Sequence, residues 1–191
     1  GFANQDGNTA QELYNDDIFV GYRYYDTFGK DVSYAFGYGG SYTTFAMSTK
    51  SVKADKDKVT VQVKVKNTGS VSGKEVAEVY FSAPDGDLDK PYQELAGYAK
   101  TDELAPGESQ ILTISFDTSE MGSYDTAKAA YVMEDGDYII RVGNSSRNTH
   151  VAGKISVAED TITEQYSNLM VPVKDNPNVA DDEKYPTLEP M

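Results

Sequence analysis

The 191-residue sequence predicts an all-β fold, an antiparallel β-sandwich, on three observations. Val59, Val61, Val63 and Val65 alternate with Thr60, Gln62, Lys64 and Lys66, a period of two that sends one face of a strand into a core and the other into water. Seven or eight short segments of strand-forming residues follow one another, separated by Gly, Pro, Asn and Asp turn signals. No stretch carries a long apolar stripe at the helical period.

Residues 1–17 are polar and aperiodic, a loop with a short helical turn expected around Ala10 to Tyr14. Ile18 to Tyr25, IFVGYRYY, has strand-forming residues with Gly21 as a bulge or a close backbone approach. Arg23 lies among aromatics, where it stacks on a ring or pairs with Asp26. The stretch Val20 to Phe45 holds six of the 15 tyrosines, and Gly37, Gly39 and Gly40 make it a turn-rich connector. Aromatic rings with polar tips on a pliable backbone suit a ribbon that wraps and docks.

The valine strand ends at the turn Asn67-Thr68-Gly69-Ser70, and Lys74 to Ser82 restarts a strand with Ala77, Val79 and Phe81 on one face. Pro84 to Pro91 is an acidic loop. Gln93 to Thr101 reads as a shorter strand with Leu95, Gly97 and Ala99 on one side and Tyr98 on the other. Pro106-Gly107 turns the chain into Gln110 to Phe116, where Leu112, Ile114 and Phe116 alternate with Ile111, Thr113 and Ser115. Ala129 to Met133 and Tyr138 to Val142 bracket Asp135-Gly136, a hairpin signal, and Val151 to Val157 closes the series. After Asp160 the pattern dissolves. Four of the seven prolines follow Glu164, and from Asp175 five acidic residues face one lysine, the composition of a linker or extended tail.

A net charge of −14 argues against nucleic acid or an anionic membrane as partner, because both would repel the chain. No apolar run reaches the roughly 18 residues of a membrane helix. Without cysteine there is no disulfide framework, no thiolate nucleophile and no cysteine-type zinc site. The absence of both Cys and Trp also excludes the disulfide-and-tryptophan core of antibody domains. The chain opens on Gly1 with no signal-like segment, so it is expected to be a piece of a longer protein, with any export signal, and hence its localisation, lying outside it.

GYRYYDTFG followed by FGYGGSYTTF resembles the junction segment of family 3 glycoside hydrolases, where an α/β domain hands over to a fibronectin type III-like domain. KNTGSVSGKEVAEVYFSAP, LDKPYQELAGYAKTDELAPGES and YVMEDGDYIIRVGNSS resemble that second domain, in the family's order. The family usually has a proline before the first Phe and a leucine before the Ser, where this chain has Ala35 and Gly40, so a looser connector is expected. The resemblance implies three regions: 1–44, a trailing α/β segment and connector; 45–160, a fibronectin type III-like, immunoglobulin-like sandwich; and 161–191, an acidic linker or tail. Some members carry their barrel after the sandwich, an order that a linker here would suit.

The resemblance further implies that the parent is a retaining glycosidase of the β-glucosidase or β-xylosidase type, with an aspartate nucleophile on a barrel domain and a glutamate acid/base usually on the α/β domain. Neither motif has a match here. The expectation is therefore no catalytic, cofactor-binding or metal residue in this chain, and as partners the α/β and barrel domains of the same protein.

Other candidates are weaker. His150 is the only histidine, too few for a histidine metal cluster, and reads as a surface or edge residue. Asp85, Asp87 and Asp89 alternate as in calcium loops but lack the glycine and distal glutamate of an EF-hand. Gly37, Gly39 and Gly40 lack the GK[ST] and following helix of a phosphate loop. Asn144-Ser145-Ser146 fits the glycosylation pattern, which matters in a secreting eukaryote. The alternative function is a carbohydrate-binding or adhesive sandwich in which Tyr92 and Tyr98 stack on sugar rings of a polysaccharide.

Overall fold

A computed structural model describes residues 16–167, and the valine alternation organises it. β1 (Phe45–Ala54), β2 (Lys58–Asn67) and β5 (Ser109–Asp117) form one antiparallel sheet in the order β1-β2-β5. β4 (Glu94–Lys100), β3 (Val76–Ser82), β8 (Gly136–Gly143) and β9 (Thr149–Val157) form a second, in the order β4-β3-β8-β9. Val59, Val61, Val63 and Val65 are fully buried and share one core with Leu112, Ile114 and Phe116 of their own sheet and Ala77, Val79, Phe81, Ile140 and Val142 of the other. Each such valine contributes about 1.5–3 kcal/mol by leaving water. The sandwich expected from the sequence is the fold.

β3 departs from a simple alternation. Val79 and Phe81 point into the core, yet Glu78 and Tyr80, on the opposite face, are also buried. A strand can bury both faces only if a second layer covers it. The aromatic ribbon supplies that layer.

Three expectations are corrected. Ile18 to Tyr25 is not a strand: the chain turns at Asp17 and enters a short helix α1 (Tyr22–Thr27). The helical period puts Tyr22 and Asp26 on one face, and docking of that face outweighs the strand preference of the tyrosines. Asp135-Gly136 is not a hairpin tip either. β7 (Ala130–Met133) pairs with β6 (Ser123–Asp125) and β10 (Thr161–Gln165), whereas β8 pairs with β3 and β9. The chain instead crosses between sheets at Gly136, where φ is 131° and a Cβ would lie 2.7 Å from Pro84 Cβ. Only glycine fits both constraints.

The third correction is β10 itself. The series does not close at Val157, because Thr161–Gln165 adds a strand to β7 in a stretch assigned to the tail. Its side chains are mostly exposed, so burial left no mark on the sequence, and the ladder is held by backbone bonds together with Gln165 Nε2, which donates to the carbonyls of Lys128 and Ala129. The helical turn at Ala10 to Tyr14 and the rest of the proposed tail lie outside the described residues.

Candidate functional site

The feature that the sandwich alone does not require is the docked ribbon, residues 18–44. α1 lies beside the start of the edge strand β4, whose outer N–H groups would otherwise be unpaired. Tyr22 Oη accepts the Leu95 N–H at 2.8 Å, and Thr27 Oγ1 accepts the Tyr92 N–H at 2.8 Å. The Tyr22 ring stacks on Phe36 (centroids 4.5 Å apart, planes 19° from parallel) and meets Tyr80 edge-on at 6.1 Å. Arg23 does not pair with Asp26 or stack, as the sequence suggested, but reaches Glu94 at 3.2 Å.

Asp26 is taken by a residue far along the chain. Arg147 Nε donates to Asp26 Oδ1 at 2.8 Å while its Nη2 donates to the carbonyls of Tyr25 (3.2 Å) and Lys30 (2.5 Å). One guanidinium fork thus ties down the end of α1 and the turn after it, a geometry lysine cannot reproduce. Next to it the Ser146 N–H donates to the Phe36 carbonyl at 2.8 Å. Further on, Thr43 Oγ1 donates to Asn67 Oδ1 at 2.8 Å, and the fully buried Asn67 donates in turn to the carbonyls of Val71 and Leu104. The ribbon is pinned along its length.

Beneath it lies a buried carboxylate. Tyr80 Oη donates to Glu78 Oε2 at 2.6 Å, and Gly37, with φ of 81°, passes so close that a Cβ there would sit 2.2 Å from Glu78 Oε1. Burial raises the Glu78 pKa, against the lowering effect of the Tyr80 hydroxyl, and burial with the Glu78 charge pushes the Tyr80 phenol far above its ordinary range. Glu94 is raised by burial in spite of Arg23.

A second buried centre holds the loop before β4. Glu134 accepts the N–H groups of Asp87 (2.7 Å) and Leu88 (3.3 Å) and is paired with Lys90, both side chains being more than nine-tenths buried. Burial alone would raise Glu134, but the Lys90 ammonium and the two N–H groups bring it below the ordinary carboxylate range. The loop of Asp85, Asp87 and Asp89 is organised around the Glu134 carboxylate, and among the described residues no group of three or more ligating side chains is placed for a metal ion.

Sequence reasoning identified the ribbon but missed its anchors. Arg147 lies in a loop between β8 and β9, and nothing in its neighbours marks a partner 121 residues away. His150 is exposed on β9, 3.1 Å from Thr49 Oγ1. Tyr98 is largely exposed, whereas Tyr92 carries the Arg141 guanidinium over its ring at 4.9 Å. No described helix is long and apolar enough to cross a membrane.

Residues 75–146 match the model of the fibronectin type III-like domain, which defines the class of this sandwich. The chain is 42% identical over 172 residues to a β-glucosidase of Ruminococcus albus, covering 87% of this chain and 18% of that protein. It is 39% identical to β-glucosidase A of Butyrivibrio fibrisolvens, covering 93% and 25%. Among solved structures it superposes on a β-glucosidase from Paenibacillus barengoltzii with a TM-score of 0.78 at 46% identity (82% of this chain, 19% of that one). For β-glucosidase 3B from Thermotoga neapolitana the TM-score is 0.75 at 45% identity, covering 80% and 21%. The chain belongs with the family 3 glycoside hydrolases, matching their junction segment and fibronectin type III-like region. It spans about a fifth of the length of these relatives.

Proposed function

We propose that this chain is a non-catalytic, domain-buttressing region of a retaining β-glucosidase, in which the ribbon carries the end of an α/β domain and the sandwich holds it in place. In this reading residues 1–44 are the trailing segment and connector and residues 45–160 the sandwich, extended by β10; what is left of the linker at 161–191 falls outside the described residues. The observation that supports it best is the Arg147 fork, which fixes the carbonyls and the carboxylate at the end of α1 to the loop between two sandwich strands. Such a contact transmits position, because it fixes orientation as well as distance.

The outward side of the ribbon supports the same reading. Tyr34, Tyr38 and Tyr42 are 74%, 61% and 102% exposed, a run of ring surface that an abutting catalytic domain would cover. The purified chain releases no chromophore from aryl β-glucosides or β-xylosides in this account. Turnover that survives repurification and scales with the chain contradicts it.

A further inference from the structure

Where β1, β5 and β9 end, a groove of about 790 Å³ opens between them and β10. Its apolar lining includes Met133, which belongs to the core, Ile155 and Val157, which pack against the core, and Ile162, which is 52% exposed. The core comes to the surface here. The hydroxyls of Thr118, Ser156, Thr161 and Thr163, which also line the groove, are engaged within the protein, on the Asp55 carbonyl, the Asp137 carboxylate and the carbonyls of Glu159 and Tyr131. The groove therefore offers apolar contact rather than the converging polar groups of a small-molecule site.

β10 forms one side of the groove and is the edge of its sheet, so its outer N–H and C=O groups have no strand beside them among the described residues. An apolar groove next to an open strand edge suits an extended apolar segment, which fills the one and pairs with the other.

The sequence supplies such a segment beside the groove. β10 ends at Gln165, and Leu169, Met170, Val171 and Val173 follow shortly after it. Nowhere else in residues 168–191 do two Leu, Met, Val, Ile or Phe residues stand together. Ser167-Asn168 is turn chemistry, and a chain reversing there runs back to the level of Ile162 in about 17 Å, the span of roughly five extended residues. Residues 169–173 cover that length. Pro172 lacks an N–H, which an edge position tolerates.

The charges agree. The charged residues of the groove are Asp55, Asp57 and Asp117 against Lys56, and Lys174, the one base in residues 155–183, comes directly after the apolar run. Lys56 and Lys58 lie 3.8 and 4.0 Å from Asp57 and Asp117, exposed pairs that leave those carboxylates able to meet a further cation.

We propose that residues 169–173 of the chain itself occupy this groove alongside β10, with Lys174 beside its acidic rim. β9 runs from the Arg147 loop to the groove, so the ribbon is held at one end of the sandwich and the outgoing chain at the other. The direction in which the chain leaves the sandwich is thereby fixed.

The test is nuclear Overhauser contact in the 191-residue chain, labelled at its methionine, isoleucine, leucine and valine methyls. The Met170 methyl is expected to contact methyls of Ile155, Val157 or Ile162. Leu169→Asp combined with Val171→Asp is expected to abolish those contacts and to move the Ile155 and Ile162 signals, whereas Leu188→Asp moves neither. Unchanged signals from Val61 and Val63 show that each variant is folded. Absence of any contact from Met170 to the groove overturns the proposal, as do groove signals that the paired substitution leaves unmoved. Contacts that arise only between differently labelled chains in a mixed sample overturn it as well, because they place a second copy in the groove.

Discussion

Arg147 and Asp26, separated by 121 residues of chain, meet at 2.8 Å beneath the end of α1. The carboxylate is buried, so removing the guanidinium strands a charge and also takes a donor from the carbonyls of Tyr25 and Lys30. Arg147→Ala is expected to destabilise the chain by about 1–3 kcal/mol in denaturant melts. Arg147→Lys should recover only part of this, because an ammonium cannot make the three bonds of the fork. Equal stability of all three proteins would show that the fork holds nothing.

Gly37 and Glu78 give a pair of costs that can be separated. Gly37→Ala adds a Cβ 2.2 Å from the Glu78 carboxylate and places alanine at a φ of 81°. The backbone part alone is about 1–2 kcal/mol. In a Glu78→Ala background the steric part disappears and the backbone part stays, so the glycine substitution should be cheaper there but not free. A double-mutant cycle measures the difference, and zero coupling would mean the ribbon does not lie on Glu78.

Glu78 and Glu134 predict pH effects of opposite sign. The Glu78 pKa is raised in the folded chain, so between the ordinary carboxylate value and that raised value the native state binds more protons than the unfolded one, and stability falls as pH rises. Glu78→Gln keeps an acceptor for Tyr80 and should melt above the parent chain at neutral pH, the gain closing as pH falls through this window. The Glu134 pKa is lowered, so its contribution is present above the ordinary carboxylate value and is lost as pH falls through the lower native one. Glu134→Gln should melt below the parent at neutral pH and approach it in acid. Melting temperatures across a pH series decide both.

The valine strand allows a simple contrast. Val63 is fully buried in β2, and its neighbour Lys64 points to the opposite face. Val63→Asp should unfold the sandwich, since an unpaired charge in the core costs more than about 3 kcal/mol, while Lys64→Asp should stay within about 0.5 kcal/mol. Thermal melts of the two variants give the answer, and equal losses would contradict the assignment of faces.

These residues also show what the sequence could reveal. The core of β2 and β5 was legible because each strand has one wet face, which leaves a period of two in Val59 to Val65 and in Leu112 to Phe116. The outer face of β3 was not, since Glu78 and Tyr80 look like solvent-facing residues until a ribbon covers them. α1 was misread because tyrosines favour strands locally and their docking on Tyr80 and Leu95 is a tertiary matter. β7 and β8 were joined into a hairpin on a turn dipeptide, whereas Glu134 is drawn inward to Lys90 and sends the chain across to the other sheet. The Arg147 fork, a contact between distant loops, leaves no periodic trace.

The central claim is that the ribbon and the sandwich form one docked body, and amide hydrogen exchange tests it most directly. The N–H groups of Tyr92, Leu95 and Ser146 each donate to an acceptor on the ribbon: Thr27 Oγ1, Tyr22 Oη and the Phe36 carbonyl. The account predicts that all three exchange slowly in the native chain, together with the sheet amides of β3, and that Arg147→Ala speeds them while leaving the amides of β2 protected. Exchange of these three at the rate of open peptide in the unmutated chain, with β2 and β3 still protected, would contradict it.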